Sequence, residues 1–99
     1  MIGNYMLNAA PVTGEKTVTA VAAEMFAGYT ALSGRRVLIV RNDDPAIRIR
    51  VGPVGVTQQS GTPVEPGASA EFPTDPAAPV AIYAISEGAA VPVNIWEGK

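Results

Sequence analysis

Carboxylates, lysines, arginines and hydroxyls carry whatever reactive chemistry this 99-residue sequence has, because it contains no cysteine and no histidine. Without thiols there is no disulfide framework, no thiol nucleophile and no thiolate metal site. Without imidazole the commonest general base is gone, and every Ser-His-Asp or Cys-His scheme goes with it. Carboxylates remain as candidates for paired work: Asp43 beside Asp44, and Glu65, Glu71 and Asp75 in the second half. A glycoside-cleaving pair needs two carboxyls across a cleft, which is hard to build in a chain this short. Asp43-Asp44 stands before Pro45 and reads as a solvated turn. No D-x-D-x-D-G run gathers oxygens for calcium, and no GxxxxGK[ST] or GxGxxG motif cradles phosphate. Ser33, Ser60, Ser69 and Ser86 face only two lysines, and nothing selects one Ser-Lys dyad. The chain therefore reads as non-enzymatic, with no cofactor and no metal.

The elements that would position such residues are strands. Valine and isoleucine together occur nineteen times against three leucines, and β-branched side chains suit a pleated surface. Gly and Pro account for 19 residues and punctuate the apolar runs. A hydrophobic share of 47% with 16% charge argues against disorder. The expectation is an all-β fold, a single small β-sandwich or barrel of six to eight mostly antiparallel strands with an extended N-terminal arm. Residues 1–15 form the arm and residues 16–99 the domain. Strands are expected at Lys16–Val21, Arg35–Arg41, Ala46–Val51, Ala68–Phe72, Val80–Ile85 and Val91–Trp96. The second and third of these read as a hairpin turning at Asn42-Asp43-Asp44-Pro45. Residues 21–32, VAAEMFAGYTAL, carry the one hint of helix, a turn or two. Pro66-Gly67 fits the centre of a type II turn, and Pro92 fits an edge strand or a bulge.

A domain of this size buries only about 60–65% of its unfolded surface, so a partner subunit is a natural source of further burial. Two features suggest where. The arm holds Tyr5, Met6 and Leu7, apolar side chains with no sustained period. Residues 1–50 carry net charge +2 and residues 51–99 net charge -4, and all five arginines fall between Arg35 and Arg50. Arg48 and Arg50 share one face of their strand, with Arg41 across the expected hairpin. This basic strip has no interleaved aromatics and the chain as a whole is acidic, which argues against nucleic acid. It suits an acidic protein surface, such as the second half of another copy. No apolar stretch approaches the roughly 20 residues that span a bilayer, and the first residues lack the basic and apolar regions of a signal peptide.

The run SGRRVLIVRNDDPAIRIRVGPVGVTQQSGTPVEPGASAEF followed by VAIYAISEGAAVPVNIWE resembles small virion proteins of tailed bacteriophages. The matching points are Gly34-Arg35, Asn42, Val51-Gly52, Val56-Thr57, Pro66-Gly67-Ala68-Ser69 and Tyr83 to Glu97. The resemblance covers about residues 20–97 and implies a β-sandwich protein of the head-decoration or head-fibre kind. It implies a location on the virion head surface, with the major capsid protein or another virion protein as partner, and a homo-oligomer, a trimer first. It brings no catalytic residues. The partner contacts expected on these grounds are Tyr5, Met6, Leu7, Arg48 and Arg50. The alternatives are a neck or tail component, or a virion-attached adhesion or carbohydrate-binding module presenting Tyr29 or Trp96.

Overall fold

The computed structural model describes residues 10–99, which form eight strands and no helix. These are β1 (Val12–Val18), β2 (Ala23–Glu24), β3 (Val37–Asn42), β4 (Ile49–Gly52), β5 (Thr62–Val64), β6 (Ser69–Pro73), β7 (Tyr83–Ser86) and β8 (Val91–Gly98). They make two four-stranded sheets, ordered β1-β8-β3-β6 and β2-β7-β4-β5, and all the pairings are antiparallel. The order follows one rule. β1 pairs with β8, β2 with β7, β3 with β6 and β4 with β5, so the chain is one long antiparallel ribbon doubled back at the β4–β5 turn. Winding that ribbon across two sheets adds the β3–β8 and β4–β7 contacts. The result is a jelly roll, within the expected all-β sandwich class.

Alternation supplies the core. In β8, Val91, Val93 and Ile95 point inward while Pro92 and Asn94 are exposed. They meet Val18, Met25, Leu38, Val40, Ile49, Val51, Val64 and Ala84 between the sheets, as the facing layers of a sandwich do. The run Val37–Val40 is a central strand, flanked by β8 and β6.

Several expected details are corrected. Residues 35–41 and 46–51 are not a hairpin: β3 and β4 lie in opposite sheets, and the chain between them arches across the sandwich. The fully buried Asn42 holds that arch. Its Nδ2 donates to Ile47 O at 2.8 Å and Val64 O at 3.0 Å, and its Oδ1 accepts from Asp44 N at 2.9 Å. Asp44 Oδ2 then accepts from Ala46 N and Ile47 N. Turn chemistry was legible here, but the side chains bridge two sheets instead of closing one ladder. The first strand begins at Val12, because Val12–Lys16 pair in register with Val93–Glu97. Residues 12–15, expected in the arm, therefore belong to β1, and residues 1–9, including Tyr5, Met6 and Leu7, lie outside the described part.

The helical hint at residues 21–32 resolves into the short β2 and a loop. Pro92 sits in an inner strand, not an edge, but one residue beyond the last β3 partner, the Asn42–Val93 pair. The missing N–H falls where β3 has left the sheet. Strand β5, Thr62–Val64, has no strong sequence signal and forms because β4 needs a partner on its open side. The Pro66-Gly67 turn is as expected, with Gly67 at φ 79° and Ala68 N donating to Glu65 O at 2.9 Å.

Asn42→Ala should cost about 2–4 kcal/mol, since it leaves buried backbone groups of the arch without partners. Urea titration should show a lower midpoint with an unchanged slope. A loss within experimental error would mean that Asp44 alone holds the arch.

Candidate interaction surfaces

Because every pairing is antiparallel, the connections alternate between the two ends of the sandwich. One end gathers residues 19–22, 43–48, 65–68 and 87–90. The other gathers residues 25–36, 53–61 and 74–82, together with the start of β1 and the finish of β8.

The first end is charged and internally paired. Glu87 takes Arg48 in a two-point grip, Nε to Oε2 at 2.7 Å and Nη2 to Oε1 at 3.1 Å. Arg50 Nε donates to the same Oε2 at 2.8 Å. Arg48 Nη1 reaches Glu65 Oε2 at 3.3 Å, and Arg41 Nε donates to Asp43 Oδ1 at 2.9 Å. Arg48 and Arg50 do share a face, as expected. They do not form an open basic strip, because carboxylates from the second half of the same chain neutralise them. The charge difference between the halves, expected to meet another copy, is met within the chain by the ribbon, which lays first-half strands against second-half strands. The two arginine hydrogen bonds, Arg48's first and Arg50's second, hold the Glu87 carboxyl below the ordinary carboxylate range. The Arg48 guanidinium is correspondingly raised, chiefly by Glu87 and then by Glu65.

At the opposite end a single carboxylate organises the loops. Glu97 occupies the inward register of β8 after Val91, Val93 and Ile95, and its side chain is 1% exposed. It accepts from Ala27 N at 2.7 Å, Leu32 N at 2.9 Å and Arg35 Nη1 at 2.7 Å. Arg35, 3% exposed, also donates to Met25 O at 3.1 Å and Val80 O at 3.2 Å. Loop 25–36, loop 74–82 and β8 are thereby tied at one point. Loop 25–36 also presses on β1, where a Cβ on Gly14 would stand 2.3 Å from Ala27 O, so that position admits only glycine. Lys16 lies over the Phe26 ring at 3.5 Å from its centroid. Sequence reasoning missed this node, although a charge in the inward register of an alternating strand was its signal.

The remaining surface has no concave site: no pocket opens among the described residues, and they hold no cluster of three or more carboxylates arranged for a metal. Loop 53–61 lies back toward β7, with Gln58 Nε2 donating to Ser86 O at 2.9 Å and Val56 packed at Gly52 and Gly61. Trp96 is half-buried on the outward face of β8, in register with Thr13 and Ile39, while Tyr29 is carried by loop 25–36. The two aromatics proposed as a sugar platform thus stand on different elements.

Glu97→Gln should cost about 3–5 kcal/mol, because it leaves the Arg35 charge buried without a counter-ion. Replacing both partners with apolar residues should not restore stability, since the N–H groups of Ala27 and Leu32 would still lack an acceptor. A loss under about 1 kcal/mol in chemical denaturation would show that the node is dispensable. Glu87 makes a separate, pH-dependent contribution. Its folded carboxyl is more acidic than its unfolded one, so the stabilisation is present above the ordinary carboxylate range and lost as pH falls through the folded value. Between about pH 6 and pH 3, Glu87→Gln should therefore lose less stability than the wild type, starting from a lower value. Parallel melting curves across that window for the two proteins would contradict the pairing.

No family model and no curated protein matches the chain. One solved structure does, described as "Bacillus endospore appendages form a novel family of disulfide-linked pili", at 20% identity and a TM-score of 0.52. The match covers 99% of this chain and 93% of that one. At that identity the likeness is one of fold, and it agrees with the two-sheet architecture: the chain is a small all-β sandwich of a kind also found in a pilus-forming protein.

Proposed function

We propose that this chain is a non-enzymatic structural subunit that works by associating with copies of itself on a larger assembly, and that the assembly is the head of a tailed phage. The observation that carries the reading is where the chemistry has gone. The strongly buried charges, Arg35 and Glu97, tie loops together, and Arg41, Arg48 and Arg50 are engaged by the chain's own carboxylates. What the protein offers to the outside is loop and sheet surface. The finer reading, a decoration protein that oligomerises as a trimer on the capsid and reinforces it, rests on the resemblance of residues 20–97 to small phage virion proteins. Contact with the capsid is assigned to the arm residues Tyr5, Met6 and Leu7. Arg48 and Arg50 serve as contacts only if a partner competes with Glu87.

A second reading, a filament subunit, is favoured by the likeness to the pilus-forming protein. That protein's pili are disulfide-linked by description, and this sequence has no cysteine. A filament built from it would be held by non-covalent contacts and be indifferent to reductant.

Purified protein should run as an oligomer in size exclusion with light scattering and cosediment with phage heads that lack it. Removing residues 1–9, which leaves β1 whole, should abolish cosedimentation without shifting the thermal transition. Truncated protein that binds heads as well as the intact chain would sink the arm assignment. Long filaments in negative stain, unaffected by reductant, would replace the decoration reading with the second one.

A further inference from the structure

Loop 53–61 leaves β4 and folds back over the outer face of the β2-β7-β4-β5 sheet. Ile49 and Val51 point into the core, so Arg50 and Gly52 face outward. Ile85 and Tyr83 of β7 stand in register with them. Val56 is seated on Gly52, where a Cβ would lie 3.1 Å from its Cγ2, and it is 5% exposed. Gln58 Nε2 donates to Ser86 O at 2.9 Å, on the far side of the Arg50–Ile85 row. The loop therefore crosses that row, and Ile85, although it faces outward, is 8% exposed. The loop's own backbone hydrogen bonds are internal, Val56 N to Pro53 O at 3.0 Å and Ser60 N to Thr57 O at 3.2 Å. A segment anchored by one apolar side chain and a few side-chain hydrogen bonds opens more readily than the strands beneath it.

Both attachments lead to one carboxylate. Glu87 directly follows Ser86, and its two oxygens fix Arg48 and Arg50. Arg50 Nη1 in turn reaches Gly61 O at 3.4 Å, at the foot of the loop. We propose that residues 53–61 are a strap over an apolar strip of Val56 and Ile85, latched by the Glu87 carboxylate, and that neutralising this carboxylate in acid frees the strap before the sandwich unfolds. Arg48 and Arg50 are the charged groups that face Glu87, and Glu65 is joined to it through Arg48. The strap, GPVGVTQQS after its first residue's β4 neighbour, carries no titratable side chain, and neither do residues 88–90. Once Glu87 is neutral, the two guanidiniums lose the anion that they share, and with it the order that Arg50 and residues 86–87 lend the strap. The arginines hold the Glu87 carboxyl below the ordinary carboxylate range, so the latch is closed above that range and lost as pH falls through the folded value. This device does not depend on which assembly the chain joins.

The test is cleavage of the Gly55–Val56 bond by thermolysin at pH 7, with fragments identified by mass, since the buried Val56 is cut from the released strap. Glu87→Gln and Gln58→Ala should each raise the initial rate about 10-fold or more, in proportion to the open population. Glu97→Gln, which weakens the node at the opposite loops, should leave that rate unchanged while the protein stays folded. If that variant is too unstable, the wild type in urea below its transition serves the same purpose. In NMR spectra of the wild type, cross-peaks between the Val56 methyls and Gly52 Hα should fade between about pH 5 and pH 3, while those among Val40, Val51 and Ile95 remain. In Glu87→Gln the strap cross-peaks should be weak throughout. Strap cross-peaks that persist until the core signals vanish would overturn the proposal. So would a cleavage rate raised as much by Glu97→Gln or urea as by Glu87→Gln, because the strap would then open only with the whole domain. Faster cleavage in Gln58→Ala but not in Glu87→Gln would overturn the role of Glu87 as the latch.

Discussion

The buried contact between Arg35 and Glu97 is the constraint on which one whole end of this protein depends. Two charges taken out of water are costly unless their remaining donors and acceptors are also satisfied, and here they are. Glu97 accepts two backbone N–H groups besides the guanidinium, and Arg35 donates to two carbonyls besides the carboxylate. Loop 25–36 has no secondary structure to satisfy its own backbone, so a side chain from β8 does that work. An apolar pair of the same volume would pack but would leave the loop with unanswered donors. The ion pair is thus less a source of net stability than a device that gives two long loops a single conformation, and surface properties at that end follow from it.

The second organising fact is the doubled ribbon. Pairing first-half strands with second-half strands brings opposite charges together without any partner: Arg48 and Arg50 to Glu87, Arg48 to Glu65, Arg35 to Glu97. The charge segregation along the sequence is best understood as part of what selects this register. Slipping β4 against β7 would move Arg50 away from Glu87 while turning Ile49 and Val51 out of the core, so packing and electrostatics penalise the same errors.

Much of the fold was legible because its signals are local. Alternation in Ile47–Val51 and Val91–Ile95, the β-branched run at Val37–Val40 and the Pro66-Gly67 turn each mark a strand or turn without outside help. Pairing was not legible, because nothing in Arg35–Val51 says whether two adjacent strands share a sheet or face each other across one. Asn42 decides that, by reaching Val64 O twenty-two positions away. The site was legible only in part for the same reason. Arg48 and Arg50 share a face, as two-residue spacing requires, but their counter-ion lies 39 and 37 positions off. Glu97 lies one position beyond the strand expected at Val91–Trp96, and only the inward register of Val91, Val93 and Ile95 gives its side chain a direction.

The nesting of the ribbon also bears on how the chain reaches this state. The β4–β5 pair joins Val51 to Thr62, while the outermost pair joins Val12 to Glu97. Closing a loop costs entropy that grows with the length of free chain enclosed, and inner segments already joined shorten that length. Assembly from the β4–β5 turn outward therefore makes each later closure a short extension of the last, whereas starting from β1 and β8 would demand the largest closure first. In a chain with so many long-range pairings, this makes residues 49–64 the natural seed of folding. On that order β1, which pairs with β8 over seven residues, closes the outermost turn of the ribbon.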